Sequence, residues 1–152
     1  MSFPVFDLHC DTALALLGHG EKPERSLLKN DCHIDLERAG TLAGYAQCFA
    51  CFTSTWEKLP GKLTVTDVFE RELSVILREV EKNADLIRLA YSAQDVEDNL
   101  QNGLMSAILT IEGPAGFGFD PALLEDLYNV GFRISRLSDL LGCLIDIDDG
   151  GV

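Results

Sequence analysis

Positive charge is scarce in this chain: 12 lysine and arginine residues stand against 25 aspartate and glutamate residues, for a net charge of −13. Such a balance repels nucleic-acid phosphates and anionic lipid, so neither nucleic acid nor a membrane surface is an expected partner. The opening stretch MSFPVFDLHCDTALALLGHG has no basic leader, and Asp7, His9 and Asp11 break its apolar run. Neither a signal peptide nor a spanning helix is predicted from it, and a cytoplasmic location is the expectation. The cysteines, Cys10, Cys32, Cys48, Cys51 and Cys143, are odd in number, which fits reduced thiols better than a disulfide framework. Solenoid repeats and low-complexity linkers are missing, as are the nucleophile elbow G-x-S-x-G, the phosphate loop G-x-x-x-x-G-K and the zinc helix H-E-x-x-H. Gly116 and Gly118 form a G-x-G, but the rest of the dinucleotide fingerprint does not follow, and a flexible loop is the reading.

What is present is enough for one packed domain: 152 residues, 47% of them hydrophobic. Strand-like and helix-like segments alternate. Phe3 to Leu8 reads as a strand that looks buried, and Thr12 to Leu17 as a short helix. Gly44 to Thr53 reads as a second, largely buried strand. Trp56 to Lys62, with Pro60 and Gly61, reads as a loop. Val68, Phe69, Leu73, Ile76, Leu77 and Val80 then recur at helical spacing, with Asp67 near the start where the helix dipole favours negative charge. Leu86 to Tyr91 is a short strand, Ser92 and Asp95 form a capping-box pattern, and Gly103 is placed to end the helix they open. A continuous apolar run, LMSAILTIEG, predicts a buried parallel strand stopping at Glu112. A helix over Ala122 to Val130, closed by Gly131, and the strand FRISRL complete one α/β unit with a mainly parallel sheet.

Two strand ends carry the chemistry. Residues i and i+2 of a strand project to one face, so His9 and Asp11 point together while Cys10 points away. An imidazole and a carboxylate so placed suit a divalent metal such as zinc; a hydrogen-bonded pair closing a strand is the plainer alternative. Glu112 ends another apolar strand just before Gly113 and Pro114, a costly place for a charge unless a cation compensates it, although an exposed loop glutamate is also possible. If both strands belong to one parallel sheet, their carboxyl ends share an edge, and a carboxylate there could bridge two metal ions about 3.5–4 Å apart. Cys48 and Cys51 form a C-x-x-C in apolar surroundings and read as buried strand cysteines. Cys10 reads as packing rather than as a nucleophile, for no partner base is evident. His19 and His33, in early loops, read as solvated or locally bonded. Asp146, Asp148 and Asp149 lack the rest of a calcium loop and read as solvated.

The segments DLHCDT, CHIDLERAGTLAGYAQCFACFT, SAILTIEGPAG and LYNVGFRISRLS, in that order, resemble membrane-dipeptidase-type metallopeptidases. The resemblance runs from about Phe6 to Ser138 and is to the first half of such an enzyme. It implies parallel β/α units forming half of a (β/α)8 TIM barrel over residues 1–138, followed by a divergent acidic tail over 139–152. It implies a zinc-dependent dipeptidase, in which water activated by zinc attacks the peptide carbonyl. His9 and Asp11 would ligate one zinc, and Glu112 would bridge two and serve as the catalytic carboxylate. A full barrel takes about 250 residues, and later strands of the family supply two further histidines for the second zinc. At most one weakly held zinc is therefore expected here. Asp139 stands where the family commonly continues with histidine or tryptophan and then asparagine, so a truncated or frame-shifted product is expected. A catalytically inactive remnant or association module is the alternative. Open strand edges predict either self-association or closure of an edge by the chain's own tail.

Overall fold

The computed structural model describes residues 3–17, 25–52, 63–113, 115, 120–137 and 143–146. Its centre is one sheet of six strands: β1 (Pro4–Cys10), β2 (Gly44–Phe52), β3 (Ile87–Leu89), β4 (Met105–Glu112), β5 (Phe132–Leu137) and β6 (Cys143–Asp146). The order is β1-β2-β4-β5-β6, parallel throughout except for β6, which runs antiparallel to β5. β2 takes one edge of β4 from Ser106 to Glu112. β3 and β5 divide the other edge, β3 along Met105–Ala107 and β5 along Leu109–Glu112. Parallel neighbours need crossovers, and these are the helices α1 (Thr12–Leu16), α2 (Leu36–Ala39), α3 (Val65–Lys82), α4 (Ala93–Gln101) and α5 (Leu124–Val130).

The two faces of the sheet differ in what covers them. On one face, Tyr45, Phe49 and Cys51 of β2 and Ala107, Leu109 and Ile111 of β4 pack with Ala13 and Leu16 of α1, Phe69, Val75, Ile76 and Val80 of α3, and Leu127 of α5. Phe69 and Phe132 stack there with ring centroids 5.6 Å apart. The other face is lined by smaller groups, Ala46, Cys48 and Ile108, and meets Val96 of α4. Asn99 of α4 donates to Ser106 Oγ at 3.1 Å, near the start of β4. α4 thus covers the beginnings of the strands on this face and leaves their carboxyl ends open.

Several elements follow the sequence closely for identifiable reasons. Thr64 and Asp67 form a capping box at the start of α3, and Ser92 accepts from the Asp95 N–H at the start of α4. Gly103 (φ 71°) and Gly131 (φ 124°) follow α4 and α5 in the left-handed region that glycine tolerates. The helix expected from Ala122 begins as a single 3-10 turn, Pro121–Leu123, before α5.

Two expectations need correction, and one element, α2, had none. β1 is not buried: Phe6 is 53% and Leu8 70% exposed on a strand that stands at one end of the sheet order, paired only with β2 among the described strands. α2 was not distinguishable within HIDLERAG; it is a single turn capped by Asp35, whose carboxylate accepts from the Arg38 N–H. Within the stretch 139–152, read as a solvated acidic tail, Cys143–Asp146 forms β6 on the free edge of β5, so the tail is not wholly irregular and closes an edge as the alternative expectation had it. The predictions for His19, Trp56 to Lys62, Gly116 to Gly118, Asp139, Asp148 and Asp149 lie outside the described residues. Among the described residues no helix is long and apolar enough to cross a membrane.

Candidate metal centre

The carboxyl ends of β1 and β4 converge although β2 lies between them. His9 is the penultimate residue of β1, Asp11 precedes α1, and Glu112 is the last residue of β4. His9 Nε2 lies 3.3 Å from Asp11 Oδ1 and 3.4 Å from Glu112 Oε2. One ligand atom from each of the three falls within 4.8 Å of the other two. The side chains of His9 and Asp11 are about half exposed, at 49% and 59%, while that of Glu112 is 18% exposed. Asp11 occupies the N-cap position of α1 yet makes no side-chain capping bond, which leaves its carboxylate turned toward His9.

Cys10 lies on the opposite side, packed in the core with Phe49 and Cys51. Burial pushes its thiol up to about 11, so it stays protonated at neutral pH and offers neither a nucleophile nor a thiolate ligand. The C-x-x-C thiols behave alike: both are buried, burial raises Cys48 to about 11 and raises Cys51 as well. His33 is exposed and stands apart from the cluster. Sequence reasoning therefore named three residues that the structure brings together.

It missed Glu72. This α3 residue is fully buried, and among the described residues neither carboxylate oxygen completes a hydrogen bond. Burial pushes it up to about 8; the nearby Phe52 N–H works against that shift, and the negative charge of Asp11 adds to it. A signal was available in the helical phase, since Glu72 stands three residues after Phe69 and four before Ile76, inside the apolar stripe.

An imidazole and two carboxylates fit a divalent cation by donor chemistry: the nitrogen suits zinc, and either carboxylate adds charge that an ion would neutralise. The family model described as Membrane dipeptidase (Peptidase family M19) matches residues 1–141. The solved structure of dipeptidase AC, a metallopeptidase of the same family, superposes with a TM-score of 0.71 at 24% identity, covering 89% of this chain and 42% of that one. A metallopeptidase from Rhodobacter sphaeroides, solved with a phosphinate mimic of the dipeptide L-Ala-D-Ala, gives 0.67 at 20% identity over 89% of this chain and 45% of that one. The probable dipeptidase PvdM from Pseudomonas aeruginosa gives 0.61 at 20% identity over 74% and 30%. No curated protein matches the chain. The sequence spans less than half the length of each of these three structures and shares their fold over that portion. A family model covering nearly the whole sequence, its two strand-end motifs included, means that this chain belongs to the membrane dipeptidase family, Peptidase family M19.

Proposed function

We propose that the protein acts as a metal-dependent dipeptidase, with zinc as the metal, His9 and Asp11 holding one ion and Glu112 shared between two. The observation that carries this reading is the meeting of three ligand-type side chains, from two strands separated by a third, at the open carboxyl end of the sheet. Family membership supports the reaction class. A divalent ion held there would lower the pKa of a bound water toward neutrality and polarise a substrate carbonyl.

The chain's own residues supply position and charge. His9 offers Nε2, the atom that faces both carboxylates. Glu112 has two oxygens and, half-buried, loses little rotamer freedom on binding; it is the better bridging group, whereas Asp11, more exposed, is suited to a single ion. The substrate class proposed is a dipeptide, in keeping with the dipeptide mimic bound by the Rhodobacter sphaeroides relative. A cytoplasmic location is proposed on the free, reduced state of Cys10, Cys32, Cys48 and Cys51.

The test is zinc-dependent release of free amino acids from a mixed dipeptide panel, with His9→Ala and Glu112→Ala alongside. Activity in the parent that both substitutions abolish is the expected result; equal activity in the substituted chains would refute the ligand assignment. A second reading, an association module without catalysis, draws on the start of the chain, where Phe3, just before β1, and Phe6 and Leu8 within it are exposed. It predicts self-association without hydrolysis, and a monodisperse monomer with little hydrophobic-dye binding would refute it.

A further inference from the structure

Gln47 is a polar residue with no exposed surface in the middle of β2, flanked by Ala46 and Cys48 in an otherwise apolar strand. Burying an amide is unfavourable unless its hydrogen bonds are made, and here they are. Its Oε1 accepts from the Tyr45 hydroxyl, and its Nε2 donates to the Cys48 carbonyl at 2.9 Å and to the Asp7 carbonyl of β1 at 3.3 Å.

The Asp7 contact falls where the register of β1 on β2 slips. Asp7 stands opposite Gln47 and Cys10 opposite Phe49, so Leu8 and His9 together oppose the single residue Cys48. That extra residue is a β-bulge, a device that re-aims a side chain at the cost of a local break in the ladder. Strict alternation from Asp7 would send His9 to the face of Asp7 and Gln47, the side packed by α1 and α3. With the bulge, Cys10 enters that core instead and His9 emerges on the face of Glu112. A second bond braces the same turn: the His9 N–H donates to Asp7 Oδ1 at 3.2 Å.

We propose that Gln47, held by Tyr45, is a positioning residue for the metal centre: by clamping the Asp7 carbonyl it maintains the bulge that aims His9 at Asp11 and Glu112. The proposal deepens the metallohydrolase reading and rests on His9 being a ligand. A contact behind a ligand that sets its orientation is worth about 10–100-fold in metal affinity. Gln47→Met keeps the length and apolar bulk of the side chain and removes the donor.

The experiment is a calorimetric titration of the full chain with Zn2+ alone, together with the amide proton–nitrogen resonance of His9, for the parent, Gln47→Met and His9→Ala. A loss of about tenfold or more in Zn2+ affinity for Gln47→Met, with a shifted His9 amide, is the expected result. Affinity within twofold of the parent in Gln47→Met, while His9→Ala loses binding, would overturn the positioning role and leave the ligand reading standing. Unchanged affinity in His9→Ala would overturn both. Should Gln47→Met not fold, Tyr45→Phe, which deletes only the hydroxyl that fixes the amide, decides by the same two readouts: a weaker affinity with a moved His9 amide upholds the clamp, and no change in either refutes it.

Discussion

Glu72 and Glu79 lie about two turns apart on α3, both buried, and their surroundings treat them in opposite ways. Glu79 is fully partnered: its Oε2 accepts from the Leu27 N–H at 2.6 Å and from Ser26 Oγ at 3.0 Å, and Oε1 lies 3.5 Å from Lys82 Nζ. It ties the loop at Ser26–Leu27 to the middle of the molecule. Glu72 completes no hydrogen bond among the described residues and sits behind the site end of the sheet, near Phe52 and Asp11. One helix therefore carries a carboxylate that organises the scaffold and another that burdens it. The comparison breaks most sharply at Glu79. Glu79→Ala strands the Leu27 N–H and the Ser26 hydroxyl, and is expected to lower unfolding stability in urea by about 2–4 kcal/mol. A loss under 1 kcal/mol would mean water replaces the carboxylate and the contrast between the two glutamates is empty.

Glu72 should respond with the opposite sign. Its carboxyl, raised from an ordinary 4.5 to about 8, binds a proton more tightly folded than unfolded. The stability linked to that proton is fully present below the unfolded value and is lost as pH rises through the folded one, at up to about 1.4 kcal/mol per pH unit in between. Glu72→Met removes the titration while filling similar space. At pH 7 it is expected to stabilise the chain by about 1–3 kcal/mol, and at pH 4.5 to change it little. Paired urea melts across that range measure the difference directly. A gap between the two chains that does not widen with pH would mean Glu72 is ionised in the folded protein with a partner at hand.

The sequence made the scaffold and the candidate ligands legible where local rules coincide with tertiary context. β4 reads as a buried strand and is one, with seven of its residues buried, because strands on both sides and helices on the faces enclose it. β1 has the same apolar look and the opposite environment, since edge position is a property of topology that no window of residues contains. His9 and Asp11 were found by strand alternation, and their separation from Cys10 holds. The bulge that sends His9 to the face of Glu112 was not visible, because it depends on register against β2. Closure of an open edge by the chain's own tail was expected and occurs at β5, but which tail residues form β6 was not visible, because Cys143–Asp146 gains strand structure only from the edge it pairs with. Glu72 was overlooked because a glutamate among apolar residues is ordinarily assigned to the solvated face, although its phase on the helix already placed it inside.

The smallest effect concerns how far the burden at Glu72 travels. Thr64 Oγ1 accepts from the Asp67 N–H at 3.1 Å while Asp67 Oδ2 accepts from the Thr64 N–H at 2.7 Å, closing the start of α3. Thr64→Ala opens that box and is expected to cost about 1 kcal/mol. Glu72 lies eight residues further on, about 12 Å along the axis, with no shared partner, so the two substitutions should act independently. In a Glu72→Met background the cost of Thr64→Ala is expected to match the parent value within about 0.5 kcal/mol. A much smaller cost there would show that the cap holds α3 down against the unpaired carboxylate, and that the helix passes strain from its buried middle to its start; a matching cost confines the burden to the contact between Glu72 and the end of β2.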